Sequence, residues 1–275
     1  MDQAKATSEL LAARYGSLCD VAAAASSPVL ALLLAHRSIR RYRPDPVPPA
    51  LLETLIAAAQ SAATSSNLQS FSVVAVTDPE RKARLAEWSN RQGFIREAPL
   101  FLAWIADLSR LARLGERQGK TLAGLDYLET FIVAAIDAAL AAQNFAVAAQ
   151  AVGLGICYIG ALRSRPEEVA RELALPPRAV ALFGMTVGYP AEDDASEVKP
   201  RLPQPLVLHR EQYAPRREEE AIADYDSALA AFSERQGLGP TAWTPRVLAR
   251  VGSAEALGGR DRMAEALRQL GFPLK

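Results

Sequence analysis

The longest periodic stretch of the chain runs from Phe131 to Val152 and constrains the fold more than any other segment. Its mostly apolar residues recur at helical spacing, which predicts one long helix with Gly153 as its C-cap. The residues that carry this spacing are Ile132, Ala135, Ile136, Ala139, Leu140, Asn144, Val147 and Ala148. The many alanines allow a neighbouring element to pack closely. We predict a central helix with more apolar surface than one copy of the chain can cover, which favours a homodimer.

Shorter segments predict the remaining elements. A β-branched, bounded run favours a strand at residues 71–77, and apolar runs predict strands at residues 100–105 and 180–190. Leu206 to His209 with Tyr213 is a candidate for the edge of a last strand. Helical spacing or an initial proline predicts further helices at residues 29–35, 49–63, 166–175 and 218–234. Residues 1–28 are predicted to form a separate helix followed by an Ala/Ser/Pro break.

The composition excludes several classes of partner. The chain has 275 residues and carries 31 basic and 31 acidic side chains, so no global field favours nucleic acid or an anionic membrane. Cys19 and Cys157 are far apart, the N-terminus lacks a secretory pattern, and the apolar runs are interrupted before they reach the length of a membrane span. His36 and His209 are the two histidines, and we predict neither a metal site nor a catalytic triad. We expect a cytoplasmic protein without a nucleic-acid or membrane partner.

An anion site must therefore be a local cluster, and His36 to Tyr42 provides one. This heptapeptide holds one histidine, three arginines and a serine. Arg37, Ser38 and Arg40 are residue types that bind phosphate, through guanidinium forks, a hydroxyl and free N–H groups at a helix end. A solvated basic helix end is the alternative interpretation.

Two glycine-containing segments do not fit nucleotide-binding motifs. Gly153 to Ala161 contains Gly-x-Gly without the third glycine and follows a helix, which disfavours a dinucleotide fingerprint. Gly115 to Thr121 is one residue short of a P-loop and also follows a helix, so we interpret it as a surface loop.

Three motifs in order carry a resemblance to a known family: His-Arg-Ser-Ile-Arg at residue 36, Gly-Leu-Gly-x-x-Tyr-Ile-Gly at residue 153 and Lys-Pro-Arg-Leu-Pro at residue 199. From about residue 30 to about residue 245 the chain resembles the nitroreductase family, in particular its NfsA-like, NADPH-flavin oxidoreductase branch. The resemblance implies an α+β fold of three layers, with a mostly antiparallel sheet flanked by helices, in an intertwined homodimer.

The resemblance also implies a reaction. Members of this family bind FMN and transfer hydride from NAD(P)H through flavin N5 to nitroaromatics, quinones or flavin in a ping-pong scheme. The chemistry then belongs to the cofactor, and the small-molecule oxidant follows the nicotinamide into the site. Two alternatives stay open: a relative of the same fold with other chemistry, such as dehalogenation, ene reduction or flavin breakdown, or a non-enzymatic FMN-binding protein.

Residue by residue, the resemblance assigns a cofactor site. Arg40 is expected to stabilise the reduced ring of FMN, with no further catalytic side chain. The phosphate is expected to meet Arg37, Ser38, Lys199 and Arg201, and His36 is expected to belong to the same cofactor site. The ring and ribityl chain are expected to meet Thr64, Ser65, Asn67, Gln69, Gln92, Tyr158, Ile159, Gly160 and Ala161, where Ala161 adds a methyl at a position that is often glycine.

The resemblance divides the chain into a helical extension (1–28), an FMN-binding core (29–215) and a C-terminal helical excursion (216–275) that packs on the core or on the partner subunit. Arg235 is a candidate for the NADPH phosphate. A pair of arginines expected shortly before Trp243 is absent, so the choice between NADPH and NADH is open.

Overall fold

A computed structural model describes residues 3–214 and 218–275. The chain divides into two compact units, which we call the first and the second unit. The first unit combines the residues up to Arg37 with Ala195–Ala256, and the second combines Ser38–Asp194 with Leu257–Lys275. The expected boundary at residues 215 and 216 lies outside the described residues, and the three-part division along the chain stays a prediction.

The elements follow in chain order. The helices are α1 Gln3–Tyr15, α2 Pro28–Leu34, α3 Pro49–Gln60, α4 Pro79–Trp88, α5 Phe94–Glu97, α6 Ser109–Arg117, α7 Leu128–Ala151, α8 Pro166–Glu172, α9 Glu218–Arg235, α10 Trp243–Val251 and α11 Met263–Gln269. The strands are β1 Phe71–Val76, β2 Leu100–Asp107, β3 Gly155–Ile159 and β4 Ala179–Gly188.

The second unit is built on an antiparallel sheet in the order β1-β2-β4-β3. All residues of β2 are buried, as expected for a continuous apolar run in the centre of a sheet covered on both faces. On one face, α3 and α7 form a hydrophobic cluster with the sheet. In this cluster the rings of Trp104 and Phe145 pack edge to face, with their centroids 5.8 Å apart. On the other face, Leu85 of α4 and Val169 of α8 pack against Phe101. The expected three-layer α+β fold is confirmed.

The residues that carry the helical spacing of α7 do not form the face that the second unit buries. The face that this unit buries holds mainly alanines, with Asp137 among them and Phe145 toward the C-terminal end. The larger side chains of Ile132, Ile136 and Leu140 are 42%, 52% and 43% exposed. Alanines let the sheet approach closely, so the bulky stripe faces away from this core. That outcome agrees with the expected excess of apolar surface on this helix.

Two further predictions concern the C-terminal end of α7 and the length of its apolar run. Gly153 has φ +84°, the left-handed conformation of a C-cap, as predicted. The expectation that apolar runs stop well short of a membrane span was wrong for this segment. With 24 residues and a mean hydropathy of 1.7, α7 could cross a membrane by length and composition. In this fold it packs as the central helix against α3 and the sheet.

The C-terminal residues join the core of the second unit. Leu267 of α11 and the following Phe272 pack with Leu108 and Val180, and Phe272 contacts Phe131 edge to face at 5.3 Å. The chain after α11 is therefore anchored by apolar burial, which contributes about 2 kcal/mol for each large side chain.

The first unit is helical. α1 packs on α2, and α9 packs on α10, where Tyr225 contacts Trp243 edge to face at 5.8 Å. The expected strand edge at residues 206–209 was wrong, because Gln204–Leu206 forms a 3-10 turn and Val207 and Leu208 are 70% and 57% exposed. This segment pairs with no strand in the described part of the chain, so its apolar side chains lie at the surface.

Candidate functional site

In the first unit the structure brings together two segments that are far apart in sequence. Residues 34–37, at the end of α2, lie beside residues 196–201. The Arg37 Nε atom donates a hydrogen bond to Ser196 Oγ at 3.2 Å. Two predicted phosphate-binding motifs, His-Arg-Ser and Lys-Pro-Arg, therefore adjoin within this unit through His36–Arg37 on one side and Lys199–Arg201 on the other.

The guanidinium of Arg14 lies between these segments. It donates to Leu34 O at 2.6 Å and to His36 O at 3.0 Å, and also to Lys199 O at 2.7 Å. The backbone N–H of Arg201 donates in turn to Arg14 O at 3.2 Å. Arg14 is only 6% exposed. One buried side chain thus fixes the backbone of both motifs.

The Lys-Pro-Arg turn has further contacts within the same unit. The Tyr225 hydroxyl donates to Pro200 O at 3.2 Å. The Lys199 ammonium lies over the ring of Phe232, 5.7 Å from its centroid. The side chain of Lys199 is half-buried and Arg201 is exposed. The turn is held through its backbone, and the guanidinium of Arg201 is left at the surface.

The charge of this region is positive. Burial lowers the pKa of Arg14, and the nearby guanidinium of Arg201 lowers it further. A bound anion would relieve that repulsion. The expectation of helix N–H donors here was wrong, because His36 to Arg40 follow the C-terminal end of α2, which presents carbonyl groups.

Arg235, the candidate for the NADPH phosphate, lies on α9 in the first unit. Its Nε atom is 3.2 Å from a carboxylate oxygen of Glu197, and its guanidinium lies 6.0 Å from the centroid of the Phe232 ring. Both charged side chains of the pair are about half exposed, so the interaction is weak and exchangeable.

In the second unit, the chain after Ser38 lies along the outer strand of the sheet. Ile39 N donates to Ile156 O at 2.9 Å, and the Ile39 side chain is 3% exposed. It packs directly on Gly155, where a Cβ atom would come within 2.6 Å of it. The following Arg40 is exposed, and its guanidinium lies 5.9 Å from the centroid of the Phe94 ring. Arg40 is thereby placed near the segment that begins at Gln92.

The predicted flavin loop, residues 64–70, has a strained backbone. Ser66, Asn67 and Gln69 have φ values of 49°, 54° and 50°, a left-handed conformation that costs a non-glycine residue about 1 kcal/mol or more. The buried carboxylate of Asp137 accepts hydrogen bonds from Ser65 N and Ser70 N, both at 3.1 Å.

The side chains of this loop point outward. Ser65, Asn67 and Gln69 are exposed, and Thr64 is half-buried. Gln69 Nε2 donates to Asn67 Oδ1 at 3.1 Å, while Arg110 donates to Gln69 O at 3.0 Å. The loop is fixed by its backbone and presents hydroxyl and amide groups that suit a ring edge with both donors and acceptors.

In the segment from Tyr158 to Ala161, the side chain of Tyr158 is exposed, whereas those of Ile159 and Ala161 are buried. Tyr158 is 37% exposed and its hydroxyl donates to Gln143 Oε1 at 3.4 Å, with burial raising the pKa of the phenol. Ile159 and Ala161 belong to the hydrophobic core, so their side chains are not directed toward a ligand. They and Gly160 can contribute through their backbone groups.

Sequence reasoning missed Arg14 and Asp137. A signal existed for Asp137, because an aspartate in the middle of an alanine-rich apolar helix is rarely buried without backbone or side-chain partners. Arg14 gave no such signal, since an arginine near a helix C-terminus is ordinary on a surface.

Comparisons with known proteins show which family this chain is similar to. The model of the nitroreductase family matches residues 33–189, and that of the nitroreductase family C-terminal domain matches residues 199–275. The FMN reductase (NADPH) of Bacillus subtilis is 36% identical over 221 residues, 78% of this chain and 88% of that protein. The oxygen-insensitive NADPH nitroreductase of Salmonella typhimurium is 37% identical over 211 residues, 77% and 85% of the two chains. The solved structure of NfrA2 from B. megaterium superimposes with a TM-score of 0.84 at 35% identity, covering 90% of this chain and 99% of the other.

Proposed function

Because the chain belongs to the nitroreductase family, we propose that its exposed cationic and amide side chains bind FMN and a nicotinamide reductant. The protein is an NAD(P)H-dependent FMN oxidoreductase that acts on small molecules. FMN, when bound, supplies the hydride transfer between the reductant and the oxidant. The observation that carries the assignment of residues is the contact of Arg14 with both His36 O and Lys199 O, which joins two distant cationic motifs.

One group of the proposed residues suits a phosphate. Arg37 and Arg201 are exposed guanidinium groups on segments that Arg14 holds together, and Lys199 adds an ammonium. His36 precedes Arg37 in the chain, and Ser38 follows it with a hydroxyl donor. Guanidinium and ammonium groups bind phosphate oxygens through charge-assisted hydrogen bonds, so the set fits the dianionic end of FMN.

A further group of the proposed residues suits the ring. Arg40 contributes a cation, which stabilises negative charge on a reduced ring. The remaining groups are hydroxyls, amides and backbone N–H donors at Thr64, Ser65, Asn67, Gln69, Gln92, Tyr158, Ile159, Gly160 and Ala161. In this proposal the chain needs no acid–base side chain, and its task is to bind and orient the reactants.

The reductant and the oxidant are assigned more broadly. Arg235 is proposed to meet the 2′-phosphate of NADPH, in competition with Glu197. NADH stays an alternative reductant. Nitroaromatics, quinones and free flavin are the proposed oxidants, taken up in a ping-pong order after the nicotinamide has left.

We also propose a homodimer in the cytoplasm. Leu128, Ile132, Ile136 and Leu140 form a stripe of exposed apolar side chains along α7, each 42% exposed or more. A stripe of this length is unusual on the surface of a monomer, and a second copy that presents the same stripe would cover it. Sedimentation of the purified protein tests this, with a monomer at micromolar concentration as the contrary result.

The function is tested by one spectrum and one kinetic measurement. The purified protein should be yellow, with flavin absorption that is bleached by NADPH or NADH in anaerobic stopped flow. A colourless protein that does not take up FMN contradicts the assignment. A yellow protein that neither nucleotide reduces instead supports a non-enzymatic FMN-binding protein. Rapid reduction without turnover of nitroaromatics, quinones or flavin directs the search to dehalogenation, ene reduction or flavin breakdown.

A further inference from the structure

Arg14 lies in a part of the chain that precedes the family match, which begins at residue 33. It stands at the C-terminal end of α1. The most buried side chains described on this helix are polar, Thr7 at 3% exposed and Arg14 at 6%, whereas Leu10 and Leu11 are only half-buried. The helix is therefore anchored in the first unit by an arginine instead of an apolar stripe.

The contacts of Arg14 concern the backbone of the proposed phosphate ligands. Its guanidinium donates to Leu34 O and His36 O, next to Arg37, and to Lys199 O, two residues from Arg201. Leu34 O belongs to the carbonyl groups that the end of α2 leaves without helical partners, and a cation is favourable there. A planar guanidinium has five donors in a fixed fork, so it can hold several carbonyl oxygens in one arrangement.

The charge of Arg14 adds to this effect. Its three side-chain acceptors are neutral backbone carbonyls, and the guanidinium of Arg201 is close enough to repel it. Two cations held near one another, of which Arg14 is buried and Arg201 is exposed, create a positive potential that attracts a dianion.

We propose that Arg14 is a positioning residue for the phosphate of the cofactor. It fixes the two segments that present Arg37, Lys199 and Arg201, and so an element outside the family match organises the phosphate site. This inference rests on the proposed function. The inference goes beyond the proposed function because it assigns part of the affinity for the phosphate to a residue that does not touch the phosphate.

The test compares two flavins that differ only in the phosphate. The full-length chain, freed of flavin, is titrated with FMN and with riboflavin, and quenching of flavin fluorescence gives each Kd. We expect Arg14→Gln to weaken FMN binding about tenfold or more, because it loses several of the hydrogen bonds that order the segments with the cationic side chains. The Kd for riboflavin should change by less than about twofold. The matched control is Arg250→Gln, because Arg250 also donates to a backbone carbonyl of the first unit, that of Ala256, which is not next to any proposed ligand in the sequence.

A second variant separates positioning from charge. Arg14→Lys keeps the charge, but an ammonium group cannot span three carbonyls. It should therefore recover less than half of the lost preference for FMN over riboflavin, measured as the logarithm of the ratio of the two Kd values. If Arg14→Gln does not fold, the same comparison is made with Arg14→Lys, which should still lose several-fold in FMN affinity alone.

The contrary outcomes are distinct. Equal losses for FMN and riboflavin in the Arg14 variants, or an Arg14→Lys protein that matches the wild type, overturn the positioning role. A wild-type chain that binds riboflavin as tightly as FMN overturns the proposed phosphate site itself, and the inference with it.

Discussion

Two segments that carry candidate ligand-binding residues are fixed in opposite ways. In the first unit, Arg14 donates to carbonyls of the segments around His36 and Lys199. In the second unit, Asp137 accepts from the N–H groups at both ends of the loop between Ser65 and Ser70. Each segment is thus held through its backbone by one buried charged side chain.

The difference between the two lies in strain. The Arg14 contacts stabilise carbonyls at a helix end and a turn, whereas the Asp137 contacts hold a loop in which Ser66, Asn67 and Gln69 adopt left-handed conformations. A strained loop persists only where its surroundings over-determine it. We therefore expect the loop to depend more steeply on its anchor than the first-unit segments depend on theirs.

The largest effect is expected for Asp137→Asn. The amide keeps one acceptor oxygen but places an NH2 donor against a buried backbone N–H. The variant should lose about 2–3 kcal/mol of unfolding free energy, because one of the two backbone N–H groups loses its acceptor and faces the new NH2 donor. Urea denaturation of the flavin-free protein measures this.

Glu129→Gln is the matched control, since Glu129 is an exposed acidic residue in the first turn of the same helix. It should change the unfolding free energy by less than about 0.5 kcal/mol. An Asp137→Asn protein as stable as this control would mean that the loop holds its conformation without the carboxylate.

The next effect concerns pH and a second carboxylate near the loop. Asp107, at the end of β2, accepts from Ser72 Oγ at 2.6 Å and from Ser109 N at 3.0 Å. Burial by itself raises the pKa of Asp107, but these hydrogen bonds and the charge of Arg110 together hold it below the usual value of 3.8. Arg110 also donates to Gln69 O, so the network reaches the strained loop.

A carboxyl group with a lowered pKa stabilises the folded state fully above its unfolded pKa, and this contribution disappears as the pH falls through the folded pKa. The stability difference between the wild type and Asp107→Asn should therefore be constant above about pH 5 and shrink below about pH 4. Urea titrations at several pH values measure the difference. A difference that does not change down to pH 2.5 would contradict the lowered pKa.

The sequence predicted the elements better than their faces. Bounded apolar runs located β1, β2 and β4, and prolines marked the starts of α3 and α8. On α7, however, alanines alternate with larger apolar residues around the whole helix, so periodicity does not decide which face the core takes. Close packing on the sheet selected the alanines, and it buried Asp137 with them.

The candidate site was predicted in part, for a physical reason. Motifs locate side chains that touch a ligand, because the ligand restricts the residue type. Arg14 acts on carbonyl groups that every residue has, so nothing in the sequence of the 34–37 or 199–201 segments announces it. The expectation for residues 206–209 failed for a related reason, since an apolar composition favours a strand only where a partner strand is present.

A smaller effect is expected for Arg235, which also lies in the first unit. Arg14 is bound to neutral carbonyls, but Arg235 is paired with the carboxylate of Glu197 at 3.2 Å. If Arg235 meets the 2′-phosphate, Arg235→Ala should raise KM for NADPH about fivefold and leave KM for NADH unchanged, as expected for one exposed charge–phosphate contact.

The partner variant gives the opposite sign. Glu197→Gln removes the competing carboxylate, and KM for NADPH should fall by about twofold with no change for NADH. Steady-state rates with both nucleotides and one quinone measure these values. If Arg235→Ala shifts KM for both nucleotides equally, Arg235 does not discriminate between them.

The smallest effect tests the strain itself. Ser66 is exposed with φ 49°, so Ser66→Gly removes an unfavourable left-handed conformation of about 1 kcal/mol but also gives the unfolded chain more freedom. The net gain in unfolding free energy should be about 0.5 kcal/mol. Ser61→Gly is the control, because Ser61 has φ −76° and no strain to relieve, so this variant should lose about 0.5–1 kcal/mol of unfolding free energy.

The same variant also tests flavin binding. If the strain serves to orient Asn67 and Gln69, Ser66→Gly should weaken the binding of FMN and of riboflavin equally, in contrast to the phosphate-selective loss expected for Arg14→Gln. A Ser66→Gly protein that is less stable than the wild type would show that the loop stores no strain at this residue.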